Sequence, residues 1–141
     1  MPVLQPYLVF NGNCEEAFNF YKSVFGGEFG MISRFSDIPA EFAHPEAEKD
    51  KIIHISLAIG KSSVLMGSDS PEAYGTMKNG DTMSVFIETD SASQADSFFA
   101  GLAEGGRINM PMADTFWGSW FGMVTDKYGI NWMISYQKPQ N

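Results

Sequence analysis

Cysteine is almost absent from this chain. Cys14 stands alone, which excludes an internal disulfide and suits a reducing compartment. Basic residues are scarce: 9 Lys and Arg against 17 Asp and Glu leave a net charge of −8. Such a balance opposes phosphate backbones, whose affinity comes from Lys and Arg displacing counterions, so nucleic acid is not an expected partner. No apolar run approaches the roughly eighteen residues of a membrane span, and Met1-Pro2-Val3-Leu4 lacks the basic stretch, apolar segment and cleavage site of a leader. A soluble, unprocessed, cytoplasmic protein is expected. GxGxxG after a strand, GxxxxGK[ST], GxSxG and paired CxxC are all missing, so dinucleotide, P-loop, serine-hydrolase and zinc-knuckle chemistry have no footing.

What the chain does contain is an internal echo. Asn13, Glu16, Ala17, Phe20, Tyr21 and Val24, closed by Gly26-Gly27, recur 78 residues later as Ser91, Gln94, Ala95, Phe98, Phe99 and Leu102, while the second glycine pair is Gly105-Gly106. The spacing predicts two amphipathic helices, with Asn13 and Ser91 as N-caps, Glu16 and Gln94 completing capping boxes, and each glycine pair as a left-handed stop. A strand pattern precedes each helix, at Tyr7–Phe10 and Val85–Ile87. Three follow the first (28–34, 52–59, 64–68) and three the second (107–112, 120–125, 130–136), so each half reads βαβββ. The 141 residues suit one domain of two repeats, residues 1–70 and 81–141, joined by a linker at 71–80 that holds Pro71, Gly75 and Gly80. The segment from Phe35 to Lys51, with Pro39, Phe42, His44 and Pro45, has no counterpart and reads as a lid or edge cover.

Strand 52–59 separates its faces: Ile53, Ile55, Leu57 and Ile59 suit a helix, which leaves His54, Ser56 and Ala58 on the other side. His54 is then either a general acid or base in a concave site or a hydrogen-bonded core histidine. Cys14 opens a helix, where the dipole favours thiolate, but Glu15 and Glu16 oppose that; a small buried thiol is expected. Glu88 is one of the few candidate metal donors near a strand and otherwise reads as a solvated strand-end charge. The block Thr115 to Gly122 places Phe116, Trp117, Trp120 and Phe121 at a strand entrance, as core, pocket rim or subunit interface. The methionines suit either an adaptable pocket or gap-filling. Few metal donors fall in strand interiors, so a divalent metal is disfavoured and no cofactor is expected.

Pro6 to Ala17, Phe20-Tyr21, the His54 strand, Leu65-Met66-Gly67-Ser68-Asp69 and the run from Thr115 through Asp126-Lys127-Tyr128-Gly129 to Ile134 cover nearly the whole chain in order. In these motifs the chain resembles the PhnB-like branch of the vicinal-oxygen-chelate superfamily, which includes glyoxalase I, bleomycin- and fosfomycin-resistance proteins and extradiol dioxygenases. The resemblance implies an α+β fold: two βαβββ modules forming a cup-shaped, eight-stranded incomplete barrel, commonly as a homodimer. It also implies four metal-ligand positions, which by strand register are Gln5, Met66, Ser84 and Met133; these are poor donors for that site. Branch members often bear a ubiquinone-methyltransferase label, which the missing glycine-rich turn does not support.

The expectation is a homodimer that holds a small, partly apolar ligand in a cup lined by Tyr7, His54, Ser56, Met66 and Ser84, with Phe116, Trp117, Trp120 and Phe121 at the rim. His54 is the candidate acid or base. The competing readings are a metal-dependent lyase or isomerase of glyoxalase type, and a resistance-type protein that sequesters its ligand unchanged.

Overall fold

In the computed structural model, which describes residues 2–38 and 48–139, the chain divides into two compact units, Met1–Lys78 and Asn79–Asn141. The first comprises β1 (Tyr7–Phe10), α1 (Cys14–Phe25), β2 (Glu28–Arg34), β3 (Ile52–Ile59) and β4 (Ser63–Asp69). The second comprises β5 (Val85–Glu88), α2 (Ala92–Ala103), β6 (Arg107–Asp114), β7 (Ser119–Thr125) and β8 (Asn131–Gln137). Each unit is therefore βαβββ, with strand orders β1-β4-β3-β2 and β5-β8-β7-β6. The first strand runs parallel to the fourth and the other pairings are antiparallel. No helix among the described residues is long and apolar enough to cross a membrane.

The first unit closes its core between α1 and one face of its sheet. Cys14, Ala17, Phe18 and Tyr21 are the helix residues buried there, against Phe10, Ile52, Ile55, Leu57 and Leu65. The apolar stripe is thus turned from the periodicity-based set: Phe18 is fully buried, whereas Phe20 and Val24 are half-buried. Gly67 explains the turn, because a Cβ there would stand 2.7 Å from the Phe18 ring; the missing side chain leaves a seat for the ring. The second unit buries Ala95, Phe99 and Leu102 of α2 with Val124, Trp132 and Ile134.

The helix starts differ from the expected pair of capping boxes. Ser91 does cap α2, accepting from the Gln94 amide at 3.1 Å, while Gln94 Oε1 accepts from the Asp90 amide. Asn13 makes no side-chain cap. The acceptor at α1 is instead Asp69, from the end of β4: Oδ1 takes the Gly12 amide at 3.0 Å and the Cys14 amide at 2.9 Å, and Oδ2 takes the Ile52 amide at 2.9 Å.

The segment after β2 is pinned at both ends. The Phe35 and Ser36 amides donate to the carbonyls of Lys51 and Lys49, and Arg34 reaches the Asp50 carbonyl while forking onto Glu15 of α1 at 3.0 and 2.7 Å. That guanidinium holds the Glu15 carboxyl below the usual carboxylate range. Pro39, Phe42, His44 and Pro45, the residues read as a lid, lie outside the described residues.

Candidate functional site

Strand β3 carries a bulge that sorts its side chains. Ser33 pairs with His54 and Arg34 with Ile52, which leaves Ile53 as the extra residue. The alternation slips by one at that point, so Ile52, not Ile53, joins Ile55 and Leu57 beneath α1, with exposures of 1%, 1% and 0%. His54 and Ser56 stay on the face turned away from the helix.

Three adjacent strands bring the expected residues of this unit together. Tyr7 on β1 is the register partner of Met66 on β4, and Met66 is the partner of Ser56 on β3, so the three side chains form one line across the sheet. Tyr7 Oη lies 3.4 Å from His54 Nδ1, and the two rings are tilted with centroids 5.7 Å apart. Tyr7 is 45% exposed and His54, Ser56 and Met66 are half-buried: a solvent-reachable phenol, imidazole, hydroxyl and thioether on one surface. Ser56 also has a structural task. Its Oγ accepts the Met31 amide at 3.0 Å and stands 2.8 Å from where a Gly30 Cβ would lie, which secures the irregular pairing of β2.

Cys14 is fully buried. Burial first, then the charges of Asp69 and Glu15, push its thiol well above the usual 9.0, so it is inert at neutral pH. Asp69, 3% exposed, is the organising residue that pattern reading missed. It stands in sequence as an acid just after the 64–68 strand, and nothing local signals that it collects amides from Gly12, Cys14 and Ile52.

The second unit places its candidates separately. Phe116 is 98% and Trp117 50% exposed at the β6–β7 turn; their rings meet edge-on at 4.9 Å, and Trp117 meets the buried Phe121 at 5.9 Å. Trp120 does not join this cluster. It points to the α2 side, donates from Nε1 to Asp96 at 2.7 Å and lies beneath Lys138 Nζ. Ser84 is exposed just ahead of β5, and Glu88 accepts the Gln137 amide at 2.6 Å.

The metal positions implied by resemblance do not fit a divalent ion. Met66 and Met133 lie in β4 and β8, but Gln5 and Ser84 fall ahead of β1 and β5 rather than on them. Two thioethers, an amide and a hydroxyl do not suit a hard or borderline cation. Among the described residues no group of three or more His, Cys, Asp or Glu could hold one.

Known proteins share the architecture. A model of the 3-demethylubiquinone-9 3-methyltransferase family matches residues 2–135. Protein PA1353 from Pseudomonas aeruginosa is 40% identical with a TM-score of 0.87, over 99% of this chain and 100% of that one. A PhnB protein from Bacillus cereus is 28% identical with a TM-score of 0.75, over 96% and 99%. A glyoxalase/bleomycin resistance protein/dioxygenase family enzyme from Burkholderia phytofirmans, 17% identical over 94% and 97%, shares the fold with a TM-score of 0.64. The chain belongs to the PhnB-like family so matched, and its α+β fold of two βαβββ units is shared with glyoxalase/bleomycin resistance/dioxygenase proteins.

Proposed function

We propose that this protein is a cytoplasmic homodimer that binds a small, partly apolar molecule on the helix-free face of its first sheet. The observation that carries this reading is the line Tyr7–Met66–Ser56 with His54 beside Tyr7. An apolar thioether lies between groups able to fix a ligand's orientation, and this mixture typifies small-molecule sites. Where turnover occurs, His54 is the acid or base and Tyr7 its positioning partner. Methyl transfer, the activity in the family's name, is not the chemistry we propose: the chain has no glycine-rich dinucleotide-type turn, and neither sheet is the all-parallel type that carries one.

The test is native mass spectrometry of protein purified without denaturation, followed by chemical identification of any retained small molecule. Wild type should hold a mass that His54→Ala and Tyr7→Phe release while circular dichroism stays unchanged. Equal retention by all three proteins would refute the site. Ligand recovered chemically altered after long incubation would mark an enzyme; ligand recovered intact would mark a sequestering protein.

A further inference from the structure

The second sheet arranges three of the chain's 9 methionines in a way the ligand-binding reading does not use. Met133 on β8 is the register partner of Phe86 on β5 and of Met123 on β7, and Met123 is the partner of Met110 on β6. One row therefore runs across all four strands as Phe86, Met133, Met123, Met110. The row lies on the face turned away from α2. Its neighbours Trp132, Ile134 and Val124 are the residues buried on the helix side, at 1%, 0% and 0% exposure, and a Cβ on Gly122 would meet the Phe99 ring of α2 at 2.9 Å. Met112 is excluded from the row. The irregular pairing between Met110 and Ala113 turns it to the helix side, where its sulfur lies 2.6 Å from the position of a Gly122 Cβ.

The three methionines of the row are half-buried and Phe86 is 56% exposed, so solvent reaches them. Cross-strand partners hold their Cβ atoms about 4.5–5.5 Å apart, and the unbranched methionine chain turns about three bonds, so the sulfurs on neighbouring strands can close on one ion. The row contains no carboxylate, imidazole or amine. Thioethers without hard donors select soft monovalent ions over Mg²⁺, Ca²⁺, Mn²⁺ or Zn²⁺, and the Phe86 ring at the end of the row offers a cation-attracting face.

We propose that Met110, Met123 and Met133 form a trithioether site for a soft monovalent cation of the Cu(I) class. The site lies wholly within the second unit and stands independently of the ligand proposed for the first. The probe is Ag⁺, added as nitrate in chloride- and thiol-free buffer to the full chain carrying ε-¹³C-methyl methionine. One retained ion in native mass spectra is expected, with the methyl resonances of Met110, Met123 and Met133 moving together while those of exposed Met31 and Met83 stay. The variant Met110→Leu/Met123→Leu/Met133→Leu keeps volume and apolarity and should lose that ion with unchanged circular dichroism. Should it fail to fold, Met123→Leu alone removes the central ligand and is expected to lose the ion as well. No uptake, uptake traced to the Cys14 thiol, shifts confined to Met31 and Met83, or undiminished uptake by the leucine variants would each overturn the site.

Discussion

Asp69 shows how one side chain organises the first unit. Its buried carboxylate accepts amides from Gly12, Cys14 and Ile52, tying the end of β4 to the start of α1 and the start of β3, two residues before His54. Asp126 works more locally in the second unit, holding the β7–β8 turn by accepting from the Tyr128 and Ile130 amides and from Trp132 Nε1 at 2.8, 3.1 and 2.8 Å. An orphaned buried donor costs about 1–3 kcal/mol, so Asp69→Ala should cost about 3 kcal/mol or more in urea unfolding, and Asp69→Asn, which keeps one carbonyl oxygen, distinctly less. Equal midpoints for Asp69→Ala and wild type would show that other groups satisfy those amides. Cys14 makes a second prediction. Its folded-state pKa is raised above the ordinary 9.0, so the neutral thiol contributes stability that is fully present below that value. As pH climbs above it, the unfolded thiol ionises while the folded one does not, and stability falls. Wild type should lose stability relative to Cys14→Ala above about pH 9; parallel curves through that range would refute the inference.

At the scale of elements, the two helices are equal in length and unequal in how they begin. Ser91 caps α2 through its own side chain, whereas α1 depends on Asp69. Ser91→Ala is expected to cost about 1 kcal/mol and Asn13→Ala only a few tenths, measured by thermal unfolding; comparable losses would mean that Asn13 caps in solution. Each helix is followed by a glycine pair, and in the second pair the two members do different work, whereas Gly27 combines a φ of 85° with a close strand approach. Gly26 and Gly105 have φ of 76° and 74°, and the second glycine admits a neighbouring strand, since a Cβ on Gly27 or Gly106 would lie 2.0 Å from the Ala58 carbonyl oxygen or 2.3 Å from that of Thr125. Gly106→Ala should therefore destabilise by about 1–3 kcal/mol through overpacking, although its backbone conformation is open to alanine; a neutral effect would show that β7 can give way. The existence and extent of both helices could be read from spacing and glycine punctuation, because these are local properties. The choice of Phe18 over Phe20 could not, because the glycine that seats it lies on β4.

For the whole molecule, the donor inventory bears on metal chemistry. Exposure to Zn²⁺, Mn²⁺, Ni²⁺ and Fe²⁺ followed by native mass spectrometry is expected to show a dimer without a stoichiometric divalent ion; one retained per subunit would redirect attention to metal-assisted isomerases and lyases.

The repeat itself marks the boundary between what the chain declares and what folding decides. The offset of 78 carries Tyr7–Phe10 onto Val85–Glu88 and Cys14–Phe25 onto Ala92–Ala103 without an error of one residue, so element order and the two βαβββ units were determined by sequence alone. Side-chain facing does not follow the offset. Tyr7 shares the outer face with Met66, while Val85, its counterpart, pairs with buried Trp132 and leaves the outer face to Phe86. Helical periodicity, caps and turns act over a few residues and are written in a few residues. Which face a strand shows, which carboxylate caps which helix, and whether His54 meets Tyr7 depend on pairings between residues some fifty positions apart. Only the closed tertiary structure chooses among those pairings, because their free energy exists only once the strands are side by side.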